Sequence, residues 1–270
     1  MSELTATFEE SWIFILLVFM RVSGLIFSSP IFGRNAIPTI VKIGFCASLT
    51  LLFISSVPTV MEQMAAFRYD GTTLSLVLLC VMELLYGLVL GYVQNLFFQM
   101  IAFTGGQVID MQMSFGMVNV FDVQSNLSVP MMGNFFNLLL LMVFFATQSY
   151  SYLIRIMLVA IEEIPIGTTQ LNPEIGIVAL QLFVEAFLLS CIIAIPVIAS
   201  GLVGEACFGI LMRVVPQMNA FAIGIPVKVI LGFLVVFAMI PIYVQYVPGI
   251  FDKMFQGLEL MFATMRSAPA

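Results

Sequence analysis

The chain has no histidine, one tryptophan and four cysteines, and only 9% of its residues carry a charge. Without histidine, the commonest acid–base and metal-binding side chain near neutral pH is missing. The acids are scattered rather than convergent, so no catalytic pair or metal set can be drawn, and neither enzyme chemistry nor a cofactor is expected. Cys46, Cys80, Cys191 and Cys207 lie far apart in apolar stretches with no Cys-x-x-Cys, which indicates neither a disulfide frame nor a thiolate metal site. The nine Lys and Arg form no run that could follow a phosphate backbone, and the net charge is −6, so no nucleic-acid partner is expected. The scarcity of charge, against roughly 25% in ordinary soluble domains, excludes a soluble globular protein.

What is abundant is apolar surface: 61% of residues are hydrophobic and the mean hydropathy is +1.13. Stretches free of charge run over 43–61, 84–109, 123–154, 186–204 and 229–251. Each reaches the roughly 18 residues that cross a bilayer as a helix. A first span near Trp12–Phe32 carries only Arg21. Glu3, Glu9 and Glu10 stand where a cleavable signal would place positive charge, so this span counts as mature structure.

Breakers and polar punctuation predict helices near 12–33, 40–60, 72–103, 131–161, 175–212 and 223–247, with an amphipathic tail over 249–270. The expected fold is all-α: a polytopic membrane protein of about six long, partly broken helices in a single membrane domain, 1–270. Three of these spans are too long, since straight helices of that length measure roughly 45–57 Å against a hydrocarbon core of about 30 Å. Pro196 is expected to kink the longest of them, and Pro226 and Pro241 the last span, 223–247. Basic residues without acids around Arg34 and Lys42, and from Arg213 to Lys228, place both loops in the cytoplasm by the positive-inside rule. The acidic N-terminus and the loop of Glu162, Glu163 and Glu174 then face outward.

Three constellations stand out. At 100° per residue, Asn134, Asn137, Gln148 and Arg155 share a narrow sector of the helix read over 131–161, a polar stripe suited to a pore wall, a subunit contact or packing within the bundle. Glu83, Gly87 and Gln94 share another face, and Gly91 completes a Gly-x-x-x-Gly pair that lets helix backbones approach closely. Glu83, Glu185 and Glu205 are candidates for a proton relay or, at least as well, for structural ion pairs. The third is the stretch 105–130, GGQVIDMQMSFGMVNVFDVQSNLSVP, which does not read as a helix. Met111, Met113, Phe115 and Met117 alternate with Gln112, Ser114 and Gly116, the period of extended chain. Open extended backbone cannot face lipid, so the stretch is expected in a protein cavity, in water or beyond the membrane. Methionine there suits either a yielding seal or plain packing.

The segment RVVPQMNAFAIGIPVKVILGF, Arg213 to Phe233, resembles the signature of the FliR family and its injectisome counterpart SctT: Pro216-Gln217-Met218-Asn219 followed by Gly and Pro-x-Lys, ending at Lys228. The opening RVSGLIFSSPIFGRNAIPTIVKI, with Arg21, Pro30, Pro38 and Lys42, is similar to that family too. With the span pattern between them, the resemblance covers almost the whole chain. It departs from many relatives at Gln148-Ser149-Tyr150-Ser151, where they carry a Gly-Gly-His type turn, so any role of that histidine does not transfer.

The resemblance implies a subunit of a flagellar type III export gate in the bacterial inner membrane, at the basal body. It would assemble with FliP-like and FliQ-like subunits, and with FlhB-like and FlhA-like export components, into a channel for unfolded flagellar proteins. It further implies a FliP-like part, 1–174, and a FliQ-like hairpin, 175–248. The loop 105–130 would be a plug whose gasket is Met111, Met113, Phe115, Met117 and Phe121, and Arg213 to Lys228 would be the cytoplasmic turn of the hairpin. Two alternatives stay open: a secondary transporter of small solutes, although matched broken segments in two halves are not seen, and the injectisome counterpart of the same gate.

Overall fold

The computed structural model describes residues 2–34, 36–69, 71–114, 131–168, 172–214 and 224–266. Among them every regular element is helical: α1 (Ser2–Ser28), α2 (Thr39–Ser56), α3 (Pro58–Ala66), α4 (Thr73–Met100), a π-helical segment (Ile101–Val108), α5 (Ile109–Gln112), α6 (Met131–Ala146), α7 (Ser149–Glu163), α8 (Glu174–Val214) and α9 (Ile225–Arg266). Five helices are long and apolar enough to cross a membrane, and a sixth if α6 and α7 count as one broken span. The polytopic all-α reading therefore holds.

Three expectations need correction. The span 40–60 ends at Ser56, and Pro58 opens a separate helix at a position where its missing amide costs nothing. The span 131–161 is not one rod, because Gln148 takes a left-handed backbone, φ 55°, between α6 and α7. The tail read over 249–270 is not separate: α9 runs through Pro241 and Pro248 to Arg266, so the last hairpin helix and the tail are continuous.

The chain divides into two compact units. In the first, made of Met1–Leu96, Gln148–Leu182 and Lys253–Ala270, the buried face of α1 is Phe14, Leu17, Val18, Val22, Leu25 and Ile26, the three-to-four spacing of one helix side. Leu153, Met157, Ala160 and Ile161 on α7, and Met254, Leu258, Met261 and Met265 on α9, bury faces with the same period. Tyr152 and Phe255 lie 5.6 Å apart between ring centres.

The second unit comprises Phe97–Thr147 and Phe183–Asp252. Phe98, Phe144 and Phe251 form a closed aromatic triangle with centres 5.3 to 6.0 Å apart, distances at which edge and offset contacts attract. Phe136 packs on Tyr243 at 5.0 Å, and the Tyr243 hydroxyl donates to the Phe136 carbonyl, 3.4 Å.

Candidate functional site

Within the first unit, α1 and α4 cross with their backbones in contact. A Cβ added at Gly24 would fall on the Leu84 carbonyl, one at Gly87 on the Arg21 carbonyl, and one at Gly91 on Ser28 and the Leu25 carbonyl. The Gly87-x-x-x-Gly91 pair is thus a helix contact, as its spacing suggests. This approach brings together two charges that stand alone in their apolar spans. Arg21 is 3% exposed and Glu83 0%. Arg21 Nε donates to Glu83 Oε2 at 2.6 Å, and its Nη1 donates to the carbonyls of Ala160 (3.1 Å) and Ile164 (2.8 Å) at the end of α7. Glu83 Oε1 accepts from the Gly167 amide at 2.8 Å. Gly167 has φ +84°, a backbone that favours glycine, and this turn aims its N–H at the carboxylate. The guanidinium also lies over the Tyr86 ring, 4.6 Å from its centre.

One ion pair therefore joins α1, α4, the last turn of α7 and the turn after it. The cation meets carbonyls left unpaired at a helix C-terminus, where the helix dipole favours positive charge. Chemically this is a paired hub, with Arg21 Nη2 left buried without a partner among the described residues, and its geometry gives Glu83 the structural ion pair that its sequence left open. Sequence reasoning treated the two charges separately, although a lone base in one apolar span and a lone acid in another were the available signal.

The second unit holds the start of the methionine stretch. Here the non-helical reading of 105–130 needs correction for its first residues: the π segment and α5 carry helical backbone through Gln112. Ser114, with φ 59°, ends it in the left-handed conformation common after helix C-termini. Met111 is 82% exposed and Met113 0%. On a helix, positions i and i+2 stand about 200° apart, whereas extended chain would turn Met111 and Met113 to one face, so their opposite exposures follow from the helical turn and not from the two-residue period.

This turn is tied to α6. A Cβ at Gly106 would fall on the Gly133 backbone, so the two chains touch there without side chains between them. Both carboxylate oxygens of Asp110 accept from the Met132 amide, 3.2 and 3.3 Å, and Met131 contributes a second backbone N–H. Asp110 is buried and thus caps the N-terminus of α6 from another helix. The Gln112 side chain lies against Gly201 of α8.

Of the other residues singled out, Phe115, Met117, Phe121, Pro216, Gln217, Met218 and Asn219 lie outside the described residues. Arg213 is exposed in the last turn of α8, and Lys228, early in α9, donates to Glu205 of α8 at 2.5 Å. The polar stripe does not run along one helix. Asn134 and Asn137 belong to α6 and Arg155 to α7, and the left-handed Gln148 between them breaks the 100° phase on which the stripe was drawn. Among the described residues no group of three or more His, Cys, Asp or Glu could hold a metal ion.

These features sit in a chain with clear relatives. Residues 12–254 match the family "Bacterial export proteins, family 1". The flagellar biosynthetic protein FliR of Escherichia coli is 26% identical over 88% of this chain and 88% of its own. Those of Bacillus subtilis and Aquifex aeolicus are each 25% identical, covering 92% and 97% of this chain and 94% and 98% of their own. The match takes in both the opening around Arg21 and the Arg213–Lys228 segment, and on it the chain belongs to family 1 of the bacterial export proteins, the FliR family that its motifs resemble.

Proposed function

We propose that the chain is a core subunit of a flagellar type III protein export gate, working with FliP-like and FliQ-like subunits as a channel for unfolded flagellar proteins in the inner membrane at the basal body. The single observation that carries this reading is the match of 12–254 to an export family whose relatives are flagellar FliR proteins. The helix lengths support it: α8 and α9 have 41 and 42 residues, about 62 Å at 1.5 Å per residue against a hydrocarbon core of about 30 Å. Large apolar side chains nevertheless stay exposed along α8, from Ile177 to Val214, and along α9, from Val227 to Leu260. Such surface fits partner helices. On this reading 1–174 is a FliP-like part, 175–248 a FliQ-like hairpin, FlhB-like and FlhA-like components are further partners, and the chain catalyses nothing.

Within the gate, the stretch from Met111 to Phe121 acts as a plug. The exposed Met111, on a turn fixed to α6, supports this by presenting an adaptable apolar side chain at the start of the stretch. Co-purification tests the assembly: FliP-like and FliQ-like chains should accompany this one, and a well-behaved monomer that gains no stability from them sinks the reading. Conductance tests the plug. Replacing Met111, Phe115, Met117 and Phe121 by Ser should make the assembled gate leak ions, while the same change at Met61 and Met64 should not. Equal conductance in all three gates refutes the plug.

A further inference from the structure

Asp110 is a buried acid with no base near it among the described residues. Among the described residues α5 packs chiefly on the π segment and α6, and neither contains an acidic or basic residue. On α8, which meets the Gln112 side chain at Gly201, the next titratable group toward the C-terminus is Glu205, and Lys228 engages it. Among the described residues the carboxylate is offset only by the Met131 and Met132 amides, the latter at distances longer than the usual charge-assisted bond. A charge withdrawn from water without a counter-charge is costly, and two N–H groups at a helix end recover part of that cost.

We propose that Asp110 is a proton-controlled latch: neutral, it stays buried on the N-terminus of α6 and holds α5 to that helix; ionised, it is drawn toward water and the joint loosens. Asp110 lies beyond the Thr73–Phe103 membrane span. Burial pushes its carboxyl above the ordinary carboxylate range, and the Met132 and Met131 amides pull it back only in part. The sign follows. The closed joint binds the proton more tightly than an opened, solvated one, so the stabilisation is fully present below the solvated pKa and is lost as pH rises through the raised value. Asp110 is thus a positioning residue. It acts through α6, and through the exposed Met111 one residue along, on the plug proposed above, on which only the conductance arm of its test rests.

The test uses the assembled complex in lipid nanodiscs. Amide exchange at Met131 and Met132 is measured over a pH series and normalised to intrinsic rates and to amides later in α6. Native protection should fall about three- to tenfold on crossing the Asp110 pKa, the scale of a hydrogen bond to a neutral group. Asp110→Asn, a neutral isostere, should hold protection at the low-pH level throughout, and Asp110→Ala should lack it throughout. Protection that stays flat with pH in the native complex overturns the proposal, and so does an Asp110→Asn variant that follows the native curve. The native series decides alone if the variants fail to assemble. Conductance of the closed gate should rise with pH in the native complex and not in Asp110→Asn. A joint that titrates without any change in conductance leaves the latch standing and removes the plug.

Discussion

Replacing Glu83 by leucine should be among the most damaging single changes in the first unit. The carboxylate accepts from Arg21 Nε at 2.6 Å and from the Gly167 amide at 2.8 Å. Its loss strands a guanidinium that is almost entirely buried. Removing one partner of a buried pair costs roughly 3–5 kcal/mol, because the remaining charge is neither solvated nor paired. Arg21→Met should cost a similar amount, since Glu83 is then stranded and the Ala160 and Ile164 carbonyls lose their donor. Arg21→Lys should be intermediate: it keeps the charge but not the planar fork that reaches the carboxylate and two carbonyls together. The double variant Arg21→Met with Glu83→Leu removes both charges and should cost at least about 2 kcal/mol less than the sum of the singles, as close neighbours do not add. The assay is thermal unfolding of the purified complex in detergent. At roughly 2–4 °C per kcal/mol for a chain of this class, each single change should lower the midpoint by about 6–20 °C. If the two changes add within about 0.5 kcal/mol, the charges do not act as a unit and the hub is wrong.

The remaining expectations concern other contacts. Gly87→Ala should lower the midpoint measurably, because its Cβ meets the Arg21 backbone, whereas Gly176→Ala, with nothing within 4 Å, should be neutral or slightly stabilising. Glu205→Gln should change stability by under about 1 kcal/mol despite the short contact to Lys228, since the Glu205 side chain is half exposed; a loss as large as that at Glu83 would show that the hairpin end is enclosed. Deleting the gene in its host should abolish flagellar filaments and motility; normal filaments with lost effector secretion would place the chain in the injectisome branch. Vesicles carrying the chain alone should take up no small solutes, and uptake would favour the transporter reading.

Much of this architecture was legible because membrane helices announce themselves by length and apolarity. Pro58, Pro248 and Gln148 mark where that legibility ended. Pro58 starts a helix, and Pro248 sits inside one, so proline alone did not say which. The break at Gln148 has no glycine or proline in it; a left-handed glutamine is uncommon, and the helical period runs on through the letters on both sides. The Arg21–Glu83 pair was hidden differently. Its members are 62 positions apart, and no local pattern joins them. They meet because Gly24, Gly87 and Gly91 let two backbones touch, so the glycine spacing, which was read, carried the ion pair, which was not.

Met111 and Met113 show why a two-residue period is an ambiguous sign near a helix end. At every second residue extended chain returns to the same face, while a helix turns about 200° and so comes to the opposite side. Even over three residues the two differ, because extended chain places Met111 and Met113 on one face and the helical turn places them opposite. The consequence is functional as well as formal. Extended chain would present Met111 and Met113 on the same face, both free to join a seal. The helical turn assigns them different tasks: Met113, fully buried, helps fix α5 in the core of its unit, and Met111, exposed, is left to meet whatever lies outside it. A serine at Met113 should therefore cost stability, whereas a serine at Met111 should leave the fold intact and act on the closed gate alone. That separation can be measured by comparing the two variants in the same unfolding and conductance assays. If Met113→Ser leaks while retaining native stability, the two methionines share one role and the helical assignment of the turn is the part to abandon.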